Sequence, residues 1–245
     1  MKYYWNPLYT ELQKDLEIKS IHDFEKITCD ENILVRGTVV ELFKCTINDT
    51  TLYVKKYKSK GSIYRYFGRK SRATKETRSY RRFSAMKIPH AEVVAHGDLR
   101  VLGCLKWGII ITKEIPNTVD LYKYFTDHQE QNTSERMEIM KRIAEFTAIL
   151  HNNKFVHNTH RLRNILFCTA EQKVYLIDCP EGSYRHLPLG RSFVYDLASI
   201  YRDISKLCSA EEWTCFFDTY CSHTKANKDK LLPIVDRTYQ KKIRK

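Results

Sequence analysis

Four residues, spread over half of the chain, have the side chains that handling of a nucleotide's phosphates requires. Lys55 ends a strand-like segment, and Glu76 follows in a helix-compatible one. Asn164 and Asp178 come later, each next to a short apolar run. A lysine can contact the α- and β-phosphates while a glutamate holds the lysine in place, and an amide with a carboxylate can ligate magnesium. The order of these types therefore points to phosphoryl transfer.

Residues 157–166 have the spacing of a kinase catalytic loop. That loop reads His-x-Asp, with an asparagine five residues after the aspartate. Here the segment begins His157-Asn-Thr159, and Asn164 follows Thr159 by five residues. With the lysine, the glutamate and Asp178 in the right order, the spacing predicts a kinase-like fold.

Position 159, where kinases have the catalytic aspartate, is a threonine. A threonine hydroxyl cannot act as a general base near neutral pH, and such a base contributes about 10²–10⁴-fold to a rate. The adjacent His160 could titrate near pH 7 and is one candidate substitute. Because phosphoryl transfer depends mainly on positioning and on metal electrostatics, the change does not by itself exclude catalysis.

Residues 55–82 carry most of the net charge. The whole chain has a net charge of +13, and this segment, whose one acid is Glu76, accounts for +11. Tyrosines and a phenylalanine lie between the basic side chains, as in segments that contact anionic membranes or single-stranded nucleic acid. A solvated helix face is the third interpretation. The basic residues are Lys55, Lys56, Lys58, Lys60, Arg65, Arg69, Lys70, Arg72, Lys75, Arg78, Arg81 and Arg82.

Composition limits the class of protein further. The 245 residues suffice for one large domain or two small lobes, and 42% of them are apolar, enough for a buried core. With only 8 glycines, a glycine-rich phosphate loop is not expected. The eight cysteines form no Cys-x-x-Cys pair, and the N-terminus does not resemble a signal peptide. We therefore expect reduced thiols in a cytoplasmic protein.

The hydrophobic patterns predict strands first and helices later. Strands are expected at 33–37, 39–43 and 52–57, with a turn at 48–50, and again at 92–95, 100–105, 108–112 and 174–177. Helices are expected at 72–86, at 134–151 with Ser134 as N-cap, and at 193–207. The second of these is apolar around much of its circumference, so it should be buried. The predicted fold class is α+β and protein-kinase-like, with a small antiparallel sheet lobe that has one helix and a mainly helical C-terminal lobe.

The chain resembles the Kdo/WaaP family of lipopolysaccharide kinases over roughly residues 33–225. The resemblance rests on short fragments in the correct order, among them Lys55-Lys-Tyr, Lys75-Glu76-Thr and Leu176-Ile-Asp178. The others are Ile110-Ile-Thr-Lys-Glu-Ile, His157…Asn164-Ile-Leu, Asp196-Leu-Ala-Ser-Ile-Tyr201 and Trp213…Phe216-Phe217…Tyr220. The cationic segment also lies where that family has a long basic connection.

The resemblance implies an ATP- and magnesium-dependent kinase of an inner-core lipopolysaccharide sugar. It implies that Lys55, held by Glu76, contacts the phosphates and that Asn164 and Asp178 bind the metal. Thr159 occupies the position of the family's catalytic aspartate. The hinge at Thr112, Lys113, Glu114 and Ile115 would bind adenine through its backbone. Lys56 is an alternative phosphate contact, while Asp196 would anchor the catalytic loop and His157 would pack it.

The same resemblance implies a division of the chain, a location and a partner. Residues 1–30 would form an N-terminal extension, 31–115 the nucleotide-binding lobe, and 116–245 the lobe with the catalytic loop and acceptor site. The protein would be cytoplasmic and peripheral on the inner membrane face, held by residues 55–82. Its partner would be lipopolysaccharide core glycan or another phosphorylated glycolipid.

Two rival interpretations stay open. A pseudokinase would keep the fold as a binding or scaffolding module without the aspartate at position 159. A basic nucleic-acid-binding domain with an incidental motif match is the rival that the sequence favours least.

Overall fold

The computed structural model describes residues 2–27, 33–61, 63–128, 133–185 and 190–243. Their contacts divide the chain into two compact units. The first unit contains Met1–Arg82 and Ala91–Ile115, and the second contains Phe83–His90 and Pro116–Lys245. The boundary between an extension and a lobe expected at residue 30 lies outside the described residues.

A six-stranded antiparallel sheet dominates the first unit, in the order β1-β5-β6-β4-β3-β2. The strands are β1 (Lys2–Trp5), β2 (Ile33–Arg36), β3 (Val40–Ile47), β4 (Thr50–Lys58), β5 (Val93–Val101) and β6 (Cys104–Lys113). The short helix α1 (Thr10–Asp15) and the longer α2 (Arg72–Ala85) accompany them. Residues 2–27 are thus integrated in this unit, because β1 is an edge strand of the sheet and Trp5 and Phe24 belong to its core.

Tight turns close both central hairpins of this sheet. The β3–β4 turn is Asn48-Asp49, whose φ values of 44° and 61° are those that asparagine and aspartate tolerate best. The β5–β6 turn is Leu102-Gly103, with φ values of 49° and 80°. The sequence predicted three strands between residues 92 and 112, but there are two, because this turn joins longer strands than the apolar runs suggest.

The second unit is mainly helical. Its helices are α3 (Leu121–Asp127), α4 (Thr133–Asn152), α5 (Gly190–Leu207), α6 (Ala210–Thr224) and α7 (Lys228–Thr238). Its short strands are β7 (Thr118–Asp120), β8 (Phe155–Val156), β9 (Ile165–Cys168), β10 (Lys173–Leu176) and β11 (Ser183–Tyr184). These strands form a three-stranded sheet, β10-β9-β7, and the pair β11-β8.

Helix α4 is buried on much of its circumference, as its apolar pattern predicted. Ile139, Ile143, Ala144 and Leu150 are each at most 1% exposed. The expected N-cap is wrong, because the helix begins at Thr133 and Ser134 is already a helical residue.

The thiol expectation holds for six described cysteines and fails for a seventh. Cys104, Cys168, Cys179, Cys208, Cys215 and Cys221 are reduced. Cys45 is disulfide-bonded, so the expectation of thiols throughout is wrong, and Cys29 lies outside the described residues. Among the helices described, none is long and apolar enough to cross a bilayer.

A buried ion pair joins α4 to α6. Arg136 Nε lies 2.5 Å from Glu212 Oε1, and Arg136 Nη2 lies 3.0 Å from Glu212 Oε2. The guanidinium also donates to the carbonyls of His128 and Leu207, and it lies 4.7 Å from the centre of the Phe125 ring. Glu212 in addition accepts from the backbone N–H of Ser209, completing a capping box at the start of α6. Both charges are therefore fully compensated inside the protein.

We expect Glu212→Ala to destabilise the fold by about 3–5 kcal/mol, because it leaves the Arg136 guanidinium buried without its partner. Urea denaturation measures the loss. The exposed neighbour Glu211→Ala is the matched control and should have a much smaller effect. Equal losses for the two variants would contradict this account of the ion pair.

Candidate active site

Lys55 and Glu76 form an ion pair in the first unit. Lys55 lies in the middle of β4, opposite Leu42 of β3 and Ile110 of β6, and Glu76 lies in α2. Lys55 Nζ is 3.1 Å from Glu76 Oε1, and the glutamate side chain is 1% exposed. A carboxylate this deeply buried is stable only when paired, so the pair fixes the position of the ammonium group.

Two tyrosines hold the glutamate of this pair. Tyr57 Oη donates to Glu76 Oε2 at 2.6 Å, and Tyr80 Oη donates to Glu76 Oε1 at 3.2 Å. Tyr57 is two residues after Lys55 in a strand, and Tyr80 is four after Glu76 in a helix, so each lies on the same face as its partner. In the sequence these tyrosines stand out only as aromatic residues between basic ones, although their spacing from Lys55 and Glu76 could have identified them.

Lys56 points away from Lys55. Alternation along β4 places it on the opposite face, where Lys56 Nζ donates to the backbone carbonyls of Ile27 at 3.1 Å and Glu25 at 3.3 Å. Burial lowers the pKa of its ammonium group. These contacts make Lys56 a tie to the N-terminal segment, which leaves Lys55 as the better candidate for a phosphate contact.

The expected hinge residues continue the sheet at the end of β6. Thr112 pairs with Tyr53, and the backbone N–H groups of Lys113 and Glu114 donate to the carbonyls of Glu92 and Thr51, each at 2.9 Å. The Glu114 carboxylate accepts from Lys44 at 2.7 Å. These two N–H groups are therefore committed to the protein, and adenine would have to use other backbone atoms near Ile115.

Asp196 of α5 holds the start of the candidate catalytic loop in the second unit. Its carboxylate accepts the backbone N–H groups of His157 at 2.7 Å and Asn158 at 2.8 Å, and it lies 3.5 Å from His151 Nε2. Burial raises the pKa of Asp196, but the hydrogen bond and charge of His151 outweigh it and leave the pKa below its ordinary value. An ionised, fully buried carboxylate thus fixes the loop, in the anchoring role expected for Asp196.

Asp203, which was not predicted from the sequence, holds the other end of the same loop. Its carboxylate accepts from Arg161 Nε at 2.7 Å, from Arg161 Nη2 at 2.5 Å and from the Leu162 backbone N–H at 3.0 Å. Asp196 and Asp203 are seven residues apart, two turns of α5, so both lie on one helix face. That spacing on an otherwise apolar helix face was the available signal.

Thr159 and the two histidines around it are hydrogen-bonded within the protein. Thr159 Oγ1 lies 3.2 Å from His157 Nδ1, and His160 Nε2 lies 2.8 Å from Thr147 Oγ1. Burial, reinforced by the nearby His157, lowers the pKa of His160 to about 3. The expectation that His160 could titrate near pH 7 is therefore wrong, and a buried imidazole of this kind does not replace the aspartate.

Asn164 and Asp178 lie at neighbouring ends of paired strands. Asn164 precedes β9 and Asp178 follows β10, and the antiparallel register pairs Ile165 with Leu176. The Ile177 N–H donates to the Asn164 carbonyl at 3.0 Å, and Asn164 Nδ2 donates to the Thr159 carbonyl at 2.8 Å. The amide nitrogen is thereby engaged within the loop, so the amide oxygen is the atom that Asn164 offers to a cation.

The backbone at Asp178 is left-handed. Its φ is 54°, in a region that aspartate tolerates better than most residues with a side chain. An amide oxygen and a carboxylate are hard ligands of the kind that magnesium prefers, so the donor set fits that metal.

The sheet with its ion-paired helix and the helical unit with its anchored loop define a protein-kinase-like fold. Solved structures agree: "WaaP in complex with acyl carrier protein" has a TM-score of 0.76 at 16% identity, covering 98% of this chain and 99% of that one. A family model, the lipopolysaccharide kinase (Kdo/WaaP) family, matches residues 28–220. The chain belongs to the lipopolysaccharide kinase (Kdo/WaaP) family. A search of the curated proteins found no match.

The pKa of His160 makes stability depend on pH. In the unfolded chain a histidine has a pKa near 6.5, whereas the pKa of His160 in the folded protein is about 3. Between these two pH values, the unfolded chain binds a proton at this residue and the folded protein does not. Stability is therefore lost as the pH falls, by up to ~1.4 kcal/mol per pH unit from this group. His160→Gln, which can keep the hydrogen bond to Thr147, should flatten this slope.

Urea denaturation between about pH 5 and pH 7 measures the slope. The exposed His223→Gln serves as the control for loss of an imidazole and should keep the wild-type slope. An unchanged slope in His160→Gln would contradict the burial account.

Proposed function

We propose that this protein transfers a phosphoryl group from ATP to a hydroxyl of an inner-core lipopolysaccharide sugar. The observation that carries the proposal is the match of a lipopolysaccharide kinase family to residues 28–220 of a chain that also has the Lys55–Glu76 pair. Family membership places the chain among lipopolysaccharide kinases. ATP as the donor, the inner core as the acceptor and the cytoplasmic membrane face as the location are parts of the proposal.

In this proposal, the candidate site residues have distinct roles. Lys55, held by Glu76, would bind the α- and β-phosphates of the nucleotide, and backbone atoms near Ile115 other than the N–H groups of Lys113 and Glu114 would contact adenine. Asn164 and Asp178 would hold magnesium, which when bound neutralises charge on the phosphates. The loop at residues 157–164, which Asp196 and Asp203 hold, would position the acceptor sugar. Since residues 157–162 and Asn164 are each hydrogen-bonded within the protein, the acceptor would meet a pre-organised surface.

Thr159 determines how the acceptor proton is handled. Its hydroxyl can hydrogen-bond the acceptor but cannot remove a proton from it at neutral pH. The proton would therefore leave late, to water or to the transferred phosphate, while positioning and electrostatic stabilisation accelerate the transfer. This chemistry predicts a slow kinase that tolerates changes at position 159.

The same threonine favours a second candidate function. A pseudokinase would bind Mg·ATP and a partner without transferring phosphate, and the fold would be unchanged. The solved relative WaaP forms a complex with acyl carrier protein, so a carrier protein is a candidate partner in either case. Nucleotide binding is common to both functions, and turnover distinguishes them.

The location in the proposal rests on the basic segment. Most of its basic side chains are exposed, among them Lys58, Lys60, Arg65, Arg69, Lys70, Lys75, Arg78 and Arg81. Basic side chains near an anionic bilayer contribute about 1 kcal/mol each. We propose that this surface keeps the protein on the inner face of the cell membrane, where lipopolysaccharide core is accessible to a cytoplasmic enzyme.

Mg·ATP is expected to raise the melting temperature by several degrees at millimolar concentration, because a ligand that binds only the folded state stabilises it. Lys55→Met should abolish most of this increment, whereas Lys58→Met, three residues further along β4 and paired with Glu41, should keep it. The measurement is the difference in melting temperature with and without Mg·ATP for each protein. No magnesium-dependent increment in the wild type would remove both the kinase and the nucleotide-binding pseudokinase.

Transfer of radiolabel from ATP to purified core glycan tests the chemistry. Asp178→Ala should abolish transfer because it removes a metal ligand, and Asp178→Asn, which keeps the shape but not the charge, should also fail. Thr159→Ala should cost less than about tenfold, since no proton transfer is lost. Equal transfer by the wild type and Asp178→Ala would refute the mechanism, and zero transfer by both despite ATP binding would favour the pseudokinase.

A further inference from the structure

The turn between β5 and β6 has an unusual residue at its tip. Leu102 is 92% exposed, so it buries almost nothing in the fold. Its φ of 49° places it in the left-handed region, and at this position of a two-residue hairpin turn asparagine, aspartate or glycine is strongly preferred. The β3–β4 hairpin of the same sheet has Asn48-Asp49 in the equivalent conformation. Leu102 is therefore unfavourable for both the turn and the surface.

Two exposed aromatic side chains lie in the segment that docks on this turn, and the Phe67 N–H donates to the Tyr64 carbonyl at 3.1 Å. Tyr64 is 79% exposed and Phe67 is 66% exposed. Phe67 is bridged to Cys104, and its ring lies so close to Gly103 that a Cβ at that position would be 2.7 Å from Phe67 Cε2. Gly68 N–H donates to the Gly103 carbonyl at 3.4 Å, which docks residues 66–68 on the end of the hairpin. We call Tyr64, Phe67, Val101 and Leu102 the apolar tip.

Arg100, near the end of β5, stabilises the contact between the hairpin and the segment that contains Phe67. Its guanidinium donates to the Gly103 carbonyl at 3.2 Å, to the Arg69 carbonyl at 2.5 Å and to Asp98 at 3.0 Å. These bonds join the hairpin to the basic segment and pair the Asp98 carboxylate with a cation. The exposed side chains of Arg65, Arg69 and Lys70 lie in the segment that contributes Tyr64 and Phe67, so cations accompany the apolar tip.

We infer that the apolar tip inserts into the headgroup region of an anionic bilayer. The inference rests on the membrane contact proposed above and adds to it a point of insertion at the β5–β6 turn, where Val101 and Leu102 lie outside residues 55–82. Aromatic rings and leucine next to basic side chains are the composition of segments that enter the membrane interface. A protein partner is disfavoured, because a standard interface uses about 20–30 residues on each side and the tip has four.

Insertion explains why an unfavourable residue occupies the turn. A leucine at the tip of a hairpin projects from the sheet, and burial of its side chain by a partner would offset the cost of its left-handed backbone. Electrostatic attraction is screened by salt, whereas apolar burial is not. The two contributions can therefore be separated by salt concentration.

The test is flotation of the full chain with vesicles of phosphatidylglycerol and phosphatidylcholine, in low salt and in about 1 M salt. Leu102→Asn should weaken binding by about ten- to a hundredfold in both conditions, from the loss of one buried leucine. Its thermal stability should not decrease, because asparagine suits the turn better. Leu8→Asn, at a leucine that is 82% exposed but remote in sequence, is the matched control and should bind as the wild type does.

A second pair of variants makes the outcomes distinct. Tyr64→Ser should weaken binding in both conditions like Leu102→Asn, while joint neutralisation of Arg65, Arg69, Lys70 and Arg72 should act mainly in low salt. If that neutralisation releases the protein but Leu102→Asn and Tyr64→Ser bind normally, insertion is refuted and the electrostatic contact stands. If the wild type does not bind anionic vesicles, both proposals fail, and loss of self-association in Leu102→Asn would instead identify a protein contact.

Discussion

The ionised carboxylate of Asp196, buried without any solvent exposure, is the constraint on which the candidate catalytic loop depends. A buried carboxylate must have several partners, and this one receives two consecutive backbone N–H groups from the loop. Removing these bonds would leave both the charge and the amides unsatisfied, so loop and helix α5 can only be displaced together. Asp203 repeats the arrangement two turns later through Arg161. The positions of Thr159 and Asn164 follow from these two attachments.

In the first unit, the buried carboxylate of Glu76 likewise fixes the position of another group. There the buried carboxylate lies in a helix, and its partners are a lysine of the neighbouring sheet and two tyrosines. In both units an acid is retained inside the protein because it fixes the position of another group. In neither case is the acid itself placed to react. In the proposed function, the chemistry is left to Lys55, Asn164 and Asp178, whose positions depend on these acids and on the paired strands.

The fold class could be predicted from the sequence, because the order and spacing of the site residues are typical of kinases even though each individual motif is weak. The five-residue interval from position 159 to Asn164 and the order of Lys55, Glu76 and Asp178 predicted the kinase-like fold, which the structure confirms. Asp203, Tyr57 and Tyr80 were missed, since a residue that acts only through another has no motif of its own. The pKa of His160 was also out of reach, because it depends on a burial that no local pattern reveals. The turn at Leu102 was not predicted, because a leucine at this position contradicts the usual residue preference of a hairpin turn.

The most direct test of the central claim, that this protein phosphorylates lipopolysaccharide core, is mass spectrometry of core glycan from cells with and without the gene. The account predicts that glycan from cells lacking the gene is short of phosphate on an inner-core sugar. It also predicts that the wild-type gene restores this phosphate, whereas the Asp178→Ala gene does not. Identical core glycan in all of these cells would contradict the account.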